Sequence, residues 1–203
     1  MLTIKQSSHE EEGRSFDYSK ISTFRSCGTS PFQGAGKYPR SVEEKIDFVY
    51  PKVIFPSNKL FQSWGEKNIR KMVEYHHGLL RKSSIGNFFS SDDAAFDFAT
   101  KKTADFFVEA LGGEKVYSLV YGHPALRMRH FHMTIDEKSR EIWLMMYKKT
   151  IKDLAMPAEF VEEFWNWIEP LSIRMINRRT TVLDIPRFTF RDTFHELAKK
   201  EQN

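Results

Sequence analysis

The chain has one cysteine, Cys27, among its 203 residues. That excludes an internal disulfide, a thiolate zinc cluster and a Cys-x-x-Cys-His attachment for a covalent cofactor. No apolar run approaches the roughly 18 residues of a membrane-spanning helix. No signal-peptide pattern opens the sequence, so no membrane association is expected and the cytoplasm is the default compartment. Charge of one sign is also scarce: 31 basic residues stand against 27 acidic, a net of +4. The basic residues form no stripe, so no nucleic-acid partner is expected. Strand signals, internal repeats and flavin or nicotinamide fingerprints are missing. Any redox turnover would therefore need a separate electron donor.

Aromatics and helical periodicity are abundant. Eighteen Phe and four Trp suit a helical pocket around a large flat ligand. Residues 1–56 read as an extension, largely flexible, with one short helix expected from Val42 to Phe48. From Ser57 the pattern turns helical. Leu60, Phe61 and Trp64 make a short first element, and Gly65 permits a sharp bend beside the capping-box pair Ser63 and Glu66. The next helix runs to about Arg81, with Ile69, Met72, Val73, His76 and Leu80 on one face. Asp92 or Asp93 caps a helix that reaches Leu111, with Phe96, Ala99, Thr103, Phe106 and Ala110 on its inner stripe. A third long helix spans about Asp136 to Leu154, its stripe Trp143, Met146, Thr150 and Leu154. The fourth follows Pro157, and Pro170 is expected to kink it. Residues 179–203 read as a tail with a short helix possible from Arg191 to Lys200.

Residues 122–130, Gly-His-Pro-Ala-Leu-Arg-Met-Arg-His, carry the chemistry. Pro124 breaks the preceding helix, and from Ala125 on, Leu126, Arg127 and His130 share one face of a short one. A neutral imidazole flanked by two guanidinium groups suits a metal centre that also bears anionic arms. Haem is such a group: its iron takes an axial imidazole and its propionates seek cations.

This run, with Trp143 following on the next long helix, resembles the proximal region of the group II truncated haemoglobins. Gly65-Glu66, Leu111-Gly112-Gly113, Tyr117, Trp143-Leu144 and Met175-Ile176-Asn177 add to the likeness, which covers about residues 57–178. The resemblance implies an all-α, two-over-two globin sandwich and non-covalent haem b. His130 is the implied proximal iron ligand. His132 is its rival, but two helical residues lie about 200° apart, so only one can face the haem. Arg129 and Arg127 are propionate candidates, Tyr117 lies by the haem edge, and Phe106 and Phe107 line the inner wall. Phe89 is the wedging phenylalanine, with Phe88 the off-by-one alternative.

The distal side departs from the family. Where relatives carry a tyrosine that hydrogen-bonds the bound gas, this chain has His77, with His76 the neighbouring alternative. Trp143 is the second distal candidate, a donor only. Ala99 falls at the gate position, and Thr103, one turn on, can add a weak donor. The implied function is reversible binding of dioxygen and related diatomic gases, with nitric-oxide or peroxide chemistry at the iron an open extension. The alternative is a six-coordinate bis-histidine protein that carries electrons or senses redox state or gas. A haem-free interaction scaffold is the third reading. Whether the chain is an enzyme, and its oligomeric state, stay open at this level.

Overall fold

The computed structural model describes residues 50–181 and 183–200. The expected helix Val42–Phe48 lies outside these residues. Eight α-helices and one 3-10 turn are present among the described residues, with no strand. None of these helices is long and apolar enough to cross a membrane.

Helix α1 (Lys59–Arg81) is broken at Gly65, whose φ of 79° and ψ of 159° leave the helical region. Only glycine takes that geometry without strain, so the bend expected there is present. Glu66 pairs with Arg70 one turn on (2.7 Å), as neighbours four apart on a helix do. A 3-10 turn at Gly86–Phe88 leads to α2 (Asp93–Ala110). The Asp92 carboxylate accepts from the Ala95 amide at 2.7 Å and caps α2. Gly112, at φ +99°, turns the chain out of α2.

Two short helices follow, α3 (Val116–Tyr121) and α4 (Leu126–Arg129). Asp136 then caps α5 (Glu137–Asp153) through the Ser139 amide. Helix α6 (Ala158–Met175) runs continuously through Pro170. Helices α1, α2, α5 and α6 carry the main packing, with α1 against both α2 and α5, and α5 against α6.

The core centres on Trp165, Trp167, Tyr147 and Phe164, all buried. On α5 the expected stripe is rotated. Leu144, Tyr147, Thr150 and Ile151 are buried, so of the expected stripe Thr150 is buried while Trp143, Met146 and Leu154 are only half-buried. This helix meets the core on one side and a cavity on the other, so its apolar residues do not fall on a single stripe.

Both flanks of the globin-like segment join this core. Val53 and Phe55 pack against it, and Arg174 Nη2 donates to the Pro51 carbonyl at 3.0 Å. After α6 the chain returns across the bundle. Trp165 Nε1 donates to the Phe188 carbonyl at 2.6 Å. Phe190, in α7 (Phe190–Thr193), is buried, and Phe194 meets Trp165 edge-on at 5.0 Å before α8 (His195–Lys200). The region read as a tail therefore supplies core residues.

A buried charge cluster pins this return. Arg140 donates to Ser172 Oγ (2.8 Å), to the Pro186 carbonyl (2.7 Å) and to the Glu169 carboxylate. Glu169 also accepts from Arg187 and from the Phe188 amide. The Arg140 and Glu169 side chains are 1% and 2% exposed.

Candidate functional site

A cavity of about 590 Å³ lies among α1, α2, α4, α5 and α6, within the range of small-molecule and cofactor sites. Phe, Leu, Ile and Met are prominent in its walls, and no Asp or Glu lines it. His77, Phe89, Ala99, Thr103, Phe106, Tyr117, Arg129, His130 and Trp143 all border it, as does Phe88. His76 and Arg127 do not.

His130 ends α4. Ala125, in the αL conformation (φ 42°), starts that helix, and His130 is its C-cap. The His130 Nδ1 lies 2.6 Å from the Leu126 carbonyl. A carbonyl only accepts, so Nδ1 carries the hydrogen and Nε2 presents a bare lone pair. Burial holds the imidazole pKa below its ordinary value, which keeps that lone pair available. Asn177 Nδ2 donates to the carbonyls of His130 (3.0 Å) and Met133 (2.8 Å) and fixes the turn after it. His132, the rival, is exposed but also borders the cavity.

His77 has the same tautomer for the same reason. Its Nδ1 donates to the Val73 carbonyl at 2.9 Å, leaving Nε2 without a hydrogen. Its pKa falls to about 4, chiefly through burial, with the nearby His130 adding to the shift. The ring is therefore neutral at pH 7 and offers an acceptor where the sequence suggested a donor. Phe89 meets it edge-on at 5.9 Å.

His76 points elsewhere. It is fully buried in the core against Tyr147, its Nε2 3.1 Å from the Trp143 carbonyl. Thr103 lines the wall, but its hydroxyl hydrogen goes to the Ala99 carbonyl (3.0 Å). It has no hydrogen left to donate into the cavity. Trp143 also borders the cavity, and its indole nitrogen can only donate.

The cations sort in the same way. Arg127 turns outward from the cavity, where its Nη1 donates to the carbonyls of Arg174 (2.6 Å) and Ile176 (3.0 Å) and so closes the end of α6. Arg129 is exposed at the cavity rim. Its Nε and Nη2 bind the carbonyls of Pro124, Tyr121 and His123, and Nη1 makes none of these bonds. Lys102, which the sequence reading missed, borders the cavity too. Its ammonium sits 4.8 Å over the Tyr121 ring, and burial and Arg129 lower its pKa. The missed signal was helical: Lys102 lies three residues after Ala99 on the same face. Arg140 and Ser139 likewise precede Trp143 by about one turn and border the cavity.

The donor set fits haem. Two bare imidazole nitrogens, of His130 and His77, border the cavity, with two cations at the rim and no carboxylate lining it to repel propionates.

The bacterial-like globin family model matches residues 59–177. This chain belongs to that family. A curated relative, the group 2 truncated hemoglobin YjbI of Bacillus subtilis, is 24% identical over 122 residues, covering 60% of this chain and 90% of the relative. The crystal structure of phosphate-bound Hell's gate globin IV is similar at 46% identity and a TM-score of 0.74, over 78% of this chain and 99% of that one. The group II truncated haemoglobin of Bacillus anthracis shares the fold, with a TM-score of 0.53 and 24% identity over 64% of this chain and 97% of that one. A group II 2-on-2 haemoglobin from Agrobacterium tumefaciens also has a TM-score of 0.53. The resemblance to group II truncated haemoglobins and the all-α two-over-two fold expected from the sequence both hold.

Proposed function

We propose that this haem-binding globin holds haem b without a covalent link and takes dioxygen or a related diatomic gas in the space between His77 and Trp143. One observation carries the reading. His130 is locked by Leu126 with its Nε2 lone pair bare, on the wall of a cavity that carries no acidic side chain. Haem, when bound, supplies an iron that accepts one protein imidazole and a diatomic ligand.

The chain's own residues do the rest. His130 holds the iron, and Arg129 with Lys102 supplies cations for the propionates. Phe89 and Phe106 wedge the ring and exclude water. The Trp143 indole N–H can stabilise a partly negative ligand, a bond of about 1.5–3 kcal/mol. At about 1.4 kcal/mol per tenfold, that slows gas release by roughly ten- to a hundredfold. Return of an oxidised centre to the ferrous state would draw on a separate electron donor.

The His77 tautomer favours a second reading. A neutral ring with a bare Nε2 suits ligation better than donation, which gives a six-coordinate carrier or sensor.

Spectra of the ferric, ferrous and carbonyl forms test both. The first reading expects haem uptake in the wild type, a five-coordinate ferrous spectrum, and loss of the pigment in His130→Ala. The second expects sharp low-spin ferrous bands that vanish in His77→Ala. Unchanged haem uptake and spectra in His130→Ala would overturn the assignment of the proximal ligand.

A further inference from the structure

His76 takes no part in the cavity wall, yet it is a polar ring with 0% exposure. Its Nε2 lies 3.1 Å from the Trp143 carbonyl oxygen. Since a carbonyl only accepts, the ring hydrogen is on Nε2 and Nδ1 is a bare acceptor. That Nδ1 is buried without a hydrogen-bond partner. The ring also stacks on Tyr147, centroids 3.5 Å apart, and meets the Trp143 indole edge-on at 5.4 Å. All three contacts fall on one turn of α5.

A hydrocarbon ring in this slot would leave no orphaned acceptor. What imidazole adds is direction. One N–H fixes how far α5 stands along α1, at the residue whose side chain borders the cavity, and the perpendicular ring contact limits how the indole can tilt.

We propose that His76 is a positioning residue that holds the Trp143 indole in the cavity wall through its hydrogen bond to the Trp143 backbone and its edge-on ring contact. The proposal rests on the haem-globin reading above. His76 itself touches neither haem nor gas.

Three substitutions separate bond from ring. His76→Phe keeps the ring and loses the donor. His76→Gln loses the ring but carries an amide N–H at the reach of Nε2. His76→Asn reaches only as far as Nδ1 and is a second variant without the donor. Two readings are taken on haem-loaded protein. One is the indole ¹H–¹⁵N signal of Trp143 in the ferrous carbonyl form, identified among the four tryptophans by its loss in Trp143→Phe. The other is the oxygen dissociation rate.

His76→Phe and His76→Asn are expected to move the Trp143 signal and speed dissociation roughly tenfold. His76→Gln is expected to stay closer to wild type. In the Trp143→Phe background, His76→Phe should add little further. The asparagine variant gives the same test if the phenylalanine variant does not accumulate. An unmoved Trp143 signal in haem-loaded His76→Phe or His76→Asn overturns the proposal, as do effects of the two sites that multiply independently. Failure of the wild type to take up haem overturns the underlying reading instead.

Discussion

Replacing Glu169 by glutamine removes one charge from the cluster that joins the carboxy-terminal return to α5 and α6, with almost no change in volume. Arg140 sits opposite with its side chain 1% exposed. Burial pulls its pKa down more strongly than the Glu169 carboxylate pulls it up, and Arg187 adds to the downward pull. The pair is thus a poor source of net stability but costly to break. Glutamine can still accept one hydrogen bond from Arg140, yet it leaves a buried guanidinium without a counterion. Breaking such a pair costs about 3–5 kcal/mol. The Arg187 contact, at 50% exposure, accounts for at most about 1 kcal/mol of that. Urea denaturation of the haem-loaded protein measures the loss. Proteolysis within residues 183–194 should accelerate in parallel. The double variant Arg140→Met/Glu169→Met, which removes both charges, should recover to within about 1 kcal/mol of wild type. A Glu169→Gln protein within about 0.5 kcal/mol of wild type, near the ordinary surface-substitution range, would refute the reasoning.

Acid should destabilise the haem-free protein early. His76, His77 and His130 are held neutral in the fold with lowered pKa values. Below about pH 6.5 the unfolded chain binds protons that the folded one does not. Stability therefore falls as pH drops from about 6.5 toward about 4, where His77 titrates; that residue alone contributes about 3 kcal/mol of the loss, and a flat urea midpoint across this window would contradict it. Gly112→Ala should cost roughly 2 kcal/mol or more. Its φ is +99° and an added Cβ would meet Asn58 Cβ at 2.4 Å, so an unchanged melting temperature would be inconsistent with the turn. Lys102→Ala should speed haem transfer to an acceptor apoprotein by about three- to tenfold, and an equal rate would remove Lys102 from the propionate contacts.

Local rules carried some features of this fold and failed at others. The break at Gly65, the Asp92 cap and the turn before His130 each depend on one residue and its immediate neighbours, and each was readable from the chain. The α5 stripe was not, because Leu144 and Ile151 face the core while Trp143 borders the cavity, and one period cannot describe a helix buried on two sides. The Arg140–Glu169 pair was not legible: the two meet across 29 residues of sequence, with no local sign of the pairing. The tautomers of His76 and His77 depend on which carbonyl each ring reaches, and that follows only from the packed geometry. Arg127 looked like a propionate partner beside Arg129. Its guanidinium instead satisfies the last carbonyls of α6, which lie 47 and 49 residues away.

The limit of family likeness is not the limit of the folding unit. The family match ends at residue 177, but Phe190 is still core and Trp165 still needs the Phe188 carbonyl. A chain cut at that limit would expose a tryptophan face and strip Arg140 of its Pro186 acceptor. Boundaries chosen by alignment to shorter relatives would therefore yield a sticky fragment whose buried charge pair has lost hydrogen-bond partners, and any surrogate of this protein should extend past Phe194.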